Sequence, residues 1–342
     1  MSVTIKDIAK AADVSLATVS RVLNGSGYVK ETTREKVHDA IKQLHYTPSA
    51  IARSLSTNKT NTIGVIIPDI NNPFFGEVIK GITQVADEHQ LNIILCDTDD
   101  CKEKELKAIK LLREQRIEGI LMTPTYGEEA HDSAYMSTLD NLGIPVILMD
   151  GHVKYANYSG VFIDHVQGAY DGVEALIHAG HEKIAIINGR LDSRPAKERF
   201  LGYKKALNKY AIPLHEQYIF NGEYDHERAY TMTKKILLLE DRPTAIFVSN
   251  NLSMLGCVKA LNEQSLSIPD DMAILGFDKV DALNIIGMNI SFINGPTTLM
   301  GKTGMNMLIE SLEKQKDVHM RELKQITLLP ELHLKGSEKK SV

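Results

Sequence analysis

From Thr62 onward the chain repeats one pattern, a short continuous apolar run followed by an amphipathic stretch. "TIGVIIPD", "NIILCD", "GILMTP" and "PVILMD" occur up to residue 150, and "IAIING", "AIFVSN" and "MAILGFD" after residue 180. Unbroken Val/Ile/Leu runs describe strands buried on both faces, the condition of a parallel sheet covered by helices. "FFGEVIKGITQVADEHQ" reads as the first covering helix. These strand–helix units are too many for one compact sheet, so two α/β lobes are expected. A chain of 342 residues, 43% apolar, is long enough for both and for a further small domain. Ligands of such sheets bind beyond the carboxyl ends of the strands, where polar residues become candidate contacts.

Residues 1–60 differ in kind. They carry nine Lys/Arg against five Asp/Glu, although the whole chain has a net charge of −5. A basic module on an acidic body points to a polyanionic partner for the first part alone. In "TIKDIAKAADVSLATVSRVLN", Thr4 with Asp7 three residues later predicts a helix from Ile5, with Ile8 and Ala9 facing inward. The chain then turns at Ala12-Asp13, where Asp tolerates the left-handed backbone of a tight turn. Ser15 caps a second helix with Val19 and Val22 on its buried face. Two short helices around a tight turn make a helix-turn-helix. Thr32, followed by Glu35, is expected to cap a third helix bearing Val37, Ile41 and Leu44.

The outward face of the second helix carries Leu16, Ala17, Thr18, Ser20 and Arg21. Small residues let a helix lie deep in a major groove. Arg21 can reach guanine or a phosphate, and Leu16 and Ala17 can meet thymine methyls. After Pro48, Ile51 and Leu55 share one face of a helix too short to stand alone in water.

"VSLATVSRVLNGSGYVKETTREKV", "YTPSAIARSLST" and "IGVIIPD" together resemble the LacI family of bacterial transcription regulators, over nearly the whole chain. The resemblance implies a helix-turn-helix DNA-binding domain at 1–47 and a hinge helix with linker at 48–60. It further implies a two-lobed α/β effector-binding and dimerisation domain of the periplasmic-binding-protein type I at 61–335. Lobe 1 is expected at about 61–160 and 293–322, lobe 2 at about 161–292 and 323–335, and a disordered polar tail at 336–342. The implied function is repression from a pseudo-palindromic operator by a homodimer that answers to a small sugar-like effector in the interlobe cleft. By the same resemblance Leu16, Ala17 and Arg21 read bases, with Ser15, Thr18, Asn24 and Tyr28 near phosphates. Thr4, Ser20, Ala50 and Arg53 complete the DNA-contacting set, and Leu55 matches a leucine that the paired hinge helices insert into the minor groove.

For the effector, "DINNPFF" after the first strand offers Asn71 and Asn72 for hydroxyls and Phe74 and Phe75 for a sugar's C–H face. Arg199, Asn250 and Asp278 stand at matching cleft positions of the family, and Asp164 follows "GVFI". Some positions depart from the family pattern. Asn251 and Lys279 stand where acids are usual, and Gly295 stands in the place of a Gln. Asn306 stands where members with a phosphoprotein corepressor carry a basic residue, which argues against that partner here.

Other signals are weaker. "GPTTLMGKT" has five residues between Gly295 and Gly301, where a phosphate-binding P-loop needs four. In "HAGH", Gly180 ends a helix and His178 suits its C-terminus, so capping accounts for the pair without a metal. No cofactor or metal site and no catalytic pair is read. Three cysteines without a CxxC, no apolar run of membrane-spanning length and no secretory leader fit a cytoplasmic protein. Two alternatives stay open: a regulator answering to a purine or other metabolite, and a sugar-binding protein or enzyme on the same lobes without DNA binding.

Overall fold

The computed structural model describes residues 3–46, 59–125, 132–153, 156–314 and 323–340. The expected hinge contacts Ala50, Arg53 and Leu55 lie outside the described residues. The chain divides into two compact units, Met1–Asn61 and Thr62–Val342.

The first unit holds α1 (Ile5–Ala11), α2 (Leu16–Asn24) and α3 (Glu31–Gln43). The Thr4 N–H and hydroxyl both donate to the Asp7 carboxylate, at 2.8 and 2.7 Å. These bonds hold the Asp7 carboxyl below the usual carboxylate range. Asp13 takes φ 52° in the turn, and the Ser15 hydroxyl accepts from the Thr18 N–H at 3.1 Å. Ile8, Ala9, Ala12, Val19, Val37 and Ala40 form the core, with Val22, Ile41 and Leu44 packed at its margin. The third helix corrects the expected cap. Lys30 precedes it, and the Lys30 carbonyl accepts from the Thr33 and Arg34 N–H groups at 2.9 and 3.0 Å. Thr32 therefore lies inside the first turn.

The second unit contains two six-stranded sheets. The first is built from β1 (Thr62–Ile67), β2 (Asn92–Asp97), β3 (Ile120–Met122), β4 (Val146–Met149), β5 (Ser159–Ile163) and β11 (Gln325–Leu328). Its order is β11-β5-β4-β3-β1-β2, parallel throughout. The second is built from β6 (Ile184–Asn188), β7 (Ile219–Asn221), β8 (Ala245–Val248), β9 (Ala273–Phe277), β10 (Ser291–Asn294) and β12 (Glu331–His333). Its order is β12-β10-β9-β8-β6-β7, with only β12 antiparallel to its neighbour. Each predicted apolar run became a strand, and every residue of β3, β4, β6, β8 and β9 is buried.

Among the covering helices, α4 (Pro73–Glu88), α5 (Lys102–Glu114) and α6 (Ser133–Asp140) follow strands of the first sheet. α7 (His165–His178) follows β5 but packs on the second sheet. That sheet's own strands are followed by α8 (Arg194–Lys209), α9 (His226–Leu237), α10 (Asn251–Glu263) and the short α11 (Asp281–Ile285). α12 (Thr297–Lys314) returns to the first sheet and packs on α4. Among the described residues, no helix is long and apolar enough to cross a membrane.

The lobe boundaries shift from those expected. The chain crosses between β5 and α7, between β10 and α12, and between β11 and β12. Residues 325–328 belong to lobe 1, because Gln325 to Leu328 pair with Gly160 to Ile163. The expected disorder of 336–342 is also corrected for the described part. Ser337 Oγ accepts from the Ser291 N–H at 2.7 Å and donates to the Ile274 carbonyl at 2.6 Å. The Ser337 carbonyl accepts from the Ile274 N–H at 2.9 Å. These bonds seat the tail on the second sheet and leave Ser337 and Glu338 buried. In "HAGH" the two imidazoles serve different neighbours: His178 meets the Tyr210 hydroxyl at 2.7 Å, and His181 the Thr244 hydroxyl at 2.8 Å.

Candidate functional site

On the first unit, the α2 surface is small and open. Leu16 is 45% exposed, and Ala17 and Arg21 are exposed beside it. Thr18 and Ser20 are half-buried. Ser15 and Thr18 are linked through their hydroxyls at 2.9 Å at the N-terminal end of the helix, and Asn24 is its last residue. Tyr28, beyond α2, is 90% exposed. Thr4 is exposed at the start of α1, with its hydroxyl engaged by Asp7. An exposed helix face of mostly small side chains, with Leu16 and Arg21 standing out from it, has the form needed to enter a major groove.

In the second unit a cavity of about 250 Å³ lies where the carboxyl ends of the two sheets face each other. Six of the eight predicted effector residues line it: Asn72, Phe74, Phe75, Arg199, Asn250 and Asp278. The other two do not. Asn71 donates its N–H to Asp69 Oδ1 at 2.8 Å in an exposed turn, and Asp164 caps α7, accepting from the Gln167 N–H at 2.9 Å. Asp164 and Asp69 here do what Asp does most readily near a strand end, which is to satisfy local backbone, and Asn71 is the residue whose N–H is satisfied.

The floor of the cavity is a chain of buried polar groups. Arg199, 4% exposed, donates to the Ser249 carbonyl and to His165 Nδ1 (3.2 Å), and its guanidinium lies 3.7 Å from Asp278 Oδ2. The same guanidinium stacks 3.9 Å above the Phe277 ring. His165 Nε2 meets Asp150 at 2.9 and 3.0 Å, and Asp150 also accepts from the Ile163 N–H at 3.1 Å. Burial pushes the Asp278 carboxyl above the usual carboxylate range. Asn250 Oδ1 caps α10 by accepting from the Ser253 N–H at 3.0 Å. Among the residues that line the cavity, two buried side-chain atoms lack a hydrogen-bond partner among the described residues, Asn250 Nδ2 and Asp278 Oδ1. The same holds outside the lining for Ser249 Oγ, Ser253 Oγ and both amide atoms of Asn188. Asn250 and Asp278 are 3% and 8% exposed, and polar atoms so buried call for a partner, an ordered water or a bound molecule.

The aromatic side is supplied by Phe74 and Phe75, edge to face with centroids 5.1 Å apart. Phe75 is also part of the lobe 1 core, which leaves Phe74 as the more available ring. Sequence reasoning missed several lining residues: Asp69, Asp99, Asp100, Asp150, Arg190, Glu223 and Tyr224. Most follow predicted strands, so the strand-end rule that selected Asn250 would have found them. Glu223 and Tyr224 follow the three-residue β7, which leaves too little pattern to read. Backbone conformation marks the group as well. Asp99, Asp100, Asp150, Glu223, Tyr224 and Asp278 all have φ between 47° and 68°. Such left-handed non-glycine residues store strain of about 1 kcal/mol or more each and gather at ligand sites. The Tyr224 ring lies so close to Gly189 that a Cβ there would fall 2.1 Å from it.

The two lobes are tied across the cleft by side chains. Arg190 pairs with Asp100, and Arg194 Nη1 meets His152 Nδ1 at 2.9 Å. Asn251 Nδ2 donates to Asn72 Oδ1 at 2.9 Å. That last bond accounts for one departure, since the Asp usual at this position could not donate. Lys279 pairs with Asp281 at 2.5 Å and is not part of the cavity lining. Among the described residues no group of His, Cys, Asp and Glu is placed to hold a metal ion.

Comparison with known proteins agrees with this division into units. Residues 4–49 match the family described as "Bacterial regulatory proteins, lacI family". Residues 60–331 match "Periplasmic binding proteins and sugar binding domain of LacI family". Catabolite control protein A of Priestia megaterium is 35% identical over 317 residues, covering 92% of this chain and 94% of that protein. The HTH-type transcriptional repressor PurR of Vibrio atlanticus is 36% identical over 320 residues, covering 93% of this chain and 94% of that protein. The lac repressor dimer, solved bound to operator and the anti-inducer ONPF, superposes with a TM-score of 0.86 at 25% identity, covering 99% of this chain and all of that one. These relatives are named as regulators and not as enzymes. With both units matched and relatives similar along more than nine-tenths of its length, the chain belongs to the LacI family of bacterial transcription regulators.

Proposed function

We propose that the protein acts as a homodimeric repressor in the cytoplasm, binding a pseudo-palindromic operator and controlled by a small sugar-like effector in the interlobe cleft. One observation carries the effector half of this reading. Asn250 Nδ2 and Asp278 Oδ1 present an unmet donor and an unmet acceptor in a cavity walled by Phe74. A sugar hydroxyl both donates and accepts, and a sugar ring offers a C–H face to an aromatic side chain. The DNA half rests on the open α2 face, where Leu16, Ala17 and Arg21 are the base readers and Ser15, Thr18, Ser20, Asn24, Tyr28 and Thr4 hold the backbone. Ala50, Arg53 and Leu55 are the hinge contacts of the same proposal. Two-fold symmetry follows because a single helix-turn-helix covers one half-site, and two half-sites need two copies.

The test is selection of bound duplexes from a random-sequence pool by the full chain, followed by titration of the enriched duplex with and without neutral monosaccharides. The enriched sequences should be two-fold symmetric, affinity should fall steeply with salt, and one sugar should change it. Arg21→Ala should cost about 1–3 kcal/mol and relax preference at one position of each half-site. Asymmetric enrichment, or full selectivity retained by Arg21→Ala, would overturn the DNA reading. A purine effector is the second reading, favoured by the similarity to PurR. It would be revealed by nucleobases shifting operator affinity where sugars do not.

A further inference from the structure

The charges around the cleft are unevenly distributed. Six carboxylates line the cavity (Asp69, Asp99, Asp100, Asp150, Glu223 and Asp278), against two guanidiniums, Arg190 and Arg199. Lys104 and Arg228 pair with Asp99 and Glu223, but neither cation is part of the lining. An anionic ligand would therefore depend on Arg190 or Arg199, and both are already committed. Arg199 is spent on the Ser249 carbonyl, His165 and Asp278, and one face of its guanidinium is stacked on Phe277. Arg190 is held on two edges. Its Nε and Nη2 meet the two carboxylate oxygens of Asp192 at 3.1 and 2.8 Å, and its Nη1 donates to Asp100. That fork leaves little of a planar guanidinium for a bidentate phosphate or carboxylate.

The unmet atoms point the same way. Asp278 Oδ1 requires a donor, and Asp278 is more than nine-tenths buried. An ionised phosphate or carboxylate brings acceptors only and would set like charge beside it.

We propose that the cleft excludes anions: the effector is a hydroxylated molecule that is uncharged or carries an amine, and Asp100 with Asp192 enforces this by occupying the Arg190 guanidinium. The proposal rests on the cleft being the effector site, and it narrows the chemistry that site accepts. Asp100 and Asp192 thus become specificity-determining residues through the Arg190 guanidinium that they hold.

The experiment is calorimetric titration of the full chain with matched sets of probes: neutral hexoses and pentoses, their terminal phosphate esters, the corresponding sugar acids and the 2-amino-2-deoxy sugars. For the sugar that binds, its phosphate ester and acid should bind at least about tenfold more weakly, and its amino analogue as tightly or more so. In Asp100→Asn/Asp192→Asn the penalty for the phosphate should shrink by at least about threefold, because Arg190 is released. A phosphate ester or acid that matches its neutral parent in the wild-type protein overturns the proposal. An unchanged penalty in the double variant overturns the role given to Asp100 and Asp192. If no probe of any charge binds, the effector reading itself fails, an outcome distinct from a preference for anions.

Discussion

Asn250 divides its amide between two tasks: Oδ1 closes the first turn of α10 through the Ser253 N–H, and Nδ2 is left for the cavity. The division makes the two tasks separable. Asn250→Ser keeps an oxygen for the cap, since Ser caps as well as Asn, but withdraws the amide donor without burying a charge. The variant should keep wild-type stability within about 0.5 kcal/mol in urea unfolding and lose at least about tenfold in effector affinity by calorimetry. Asn250→Ala should lose both, with about 1 kcal/mol of stability gone. Effector affinity unchanged in both variants would make Asn250 a structural cap alone. At this scale the sequence was partly legible. Asn250 and Asp278 follow strands and reach the cavity, and Arg199 reaches it from within α8. Asp164 and Asn71 follow strands too, yet their side chain and backbone are taken up by local turns and caps. Strand-end position alone cannot separate these cases, because capping is also a strand-end task.

At the scale of elements, the contact between α4 and α12 is set by two glycines facing each other. A Cβ on Gly81 would fall 2.1 Å from the Thr298 carbonyl, and one on Gly301 2.1 Å from the Val78 carbonyl. Backbone meets backbone there, so a side chain can be admitted only by moving a helix. Gly301→Ala should therefore destabilise by about 1–3 kcal/mol despite alanine's better helix propensity. The measurement is the urea midpoint of the full chain, and an increase would show that the helices separate freely. This packing also accounts for the P-loop-like "GPTTLMGKT": its second glycine serves helix contact. Helices and central strands were legible because burial on a regular period leaves a regular pattern. The edge strands β7, β11 and β12 were not, being three or four residues long and partly exposed.

For the whole molecule, the second unit closes through bonds between lobes, one of which depends on an imidazole staying neutral. His152 Nδ1 can accept from Arg194 only when deprotonated, and burial together with the Arg194 charge holds the His152 pKa below its usual value. His181, buried against Thr244 and the tail, is lowered by burial in the same direction. When a folded-state histidine pKa lies below the unfolded value of 6.5, the unfolded chain takes up more protons as pH falls. The stability these two groups contribute is complete above that pH and is lost below it. Unfolding free energy should thus decline between about pH 7 and pH 5.5, and His152→Gln and His181→Gln should each flatten the decline. Parallel pH profiles for wild type and both variants would remove the imidazoles from the account.

By itself, the sequence determined the helix-turn-helix with its Asp7 and Ser15 caps, the buried strands of two lobes, and the presence of polar residues at the strand ends. Each depends on residues close in sequence, where spacing decides which face is buried. Only the tertiary structure decided which strand ends converge, that residues 325–328 return to lobe 1, that the tail is seated on lobe 2, and that Arg190 is held by Asp100 from across the cleft. Those outcomes join segments far apart in the chain. They follow from where the crossings fall between sheets, and local periodicity carries no record of that.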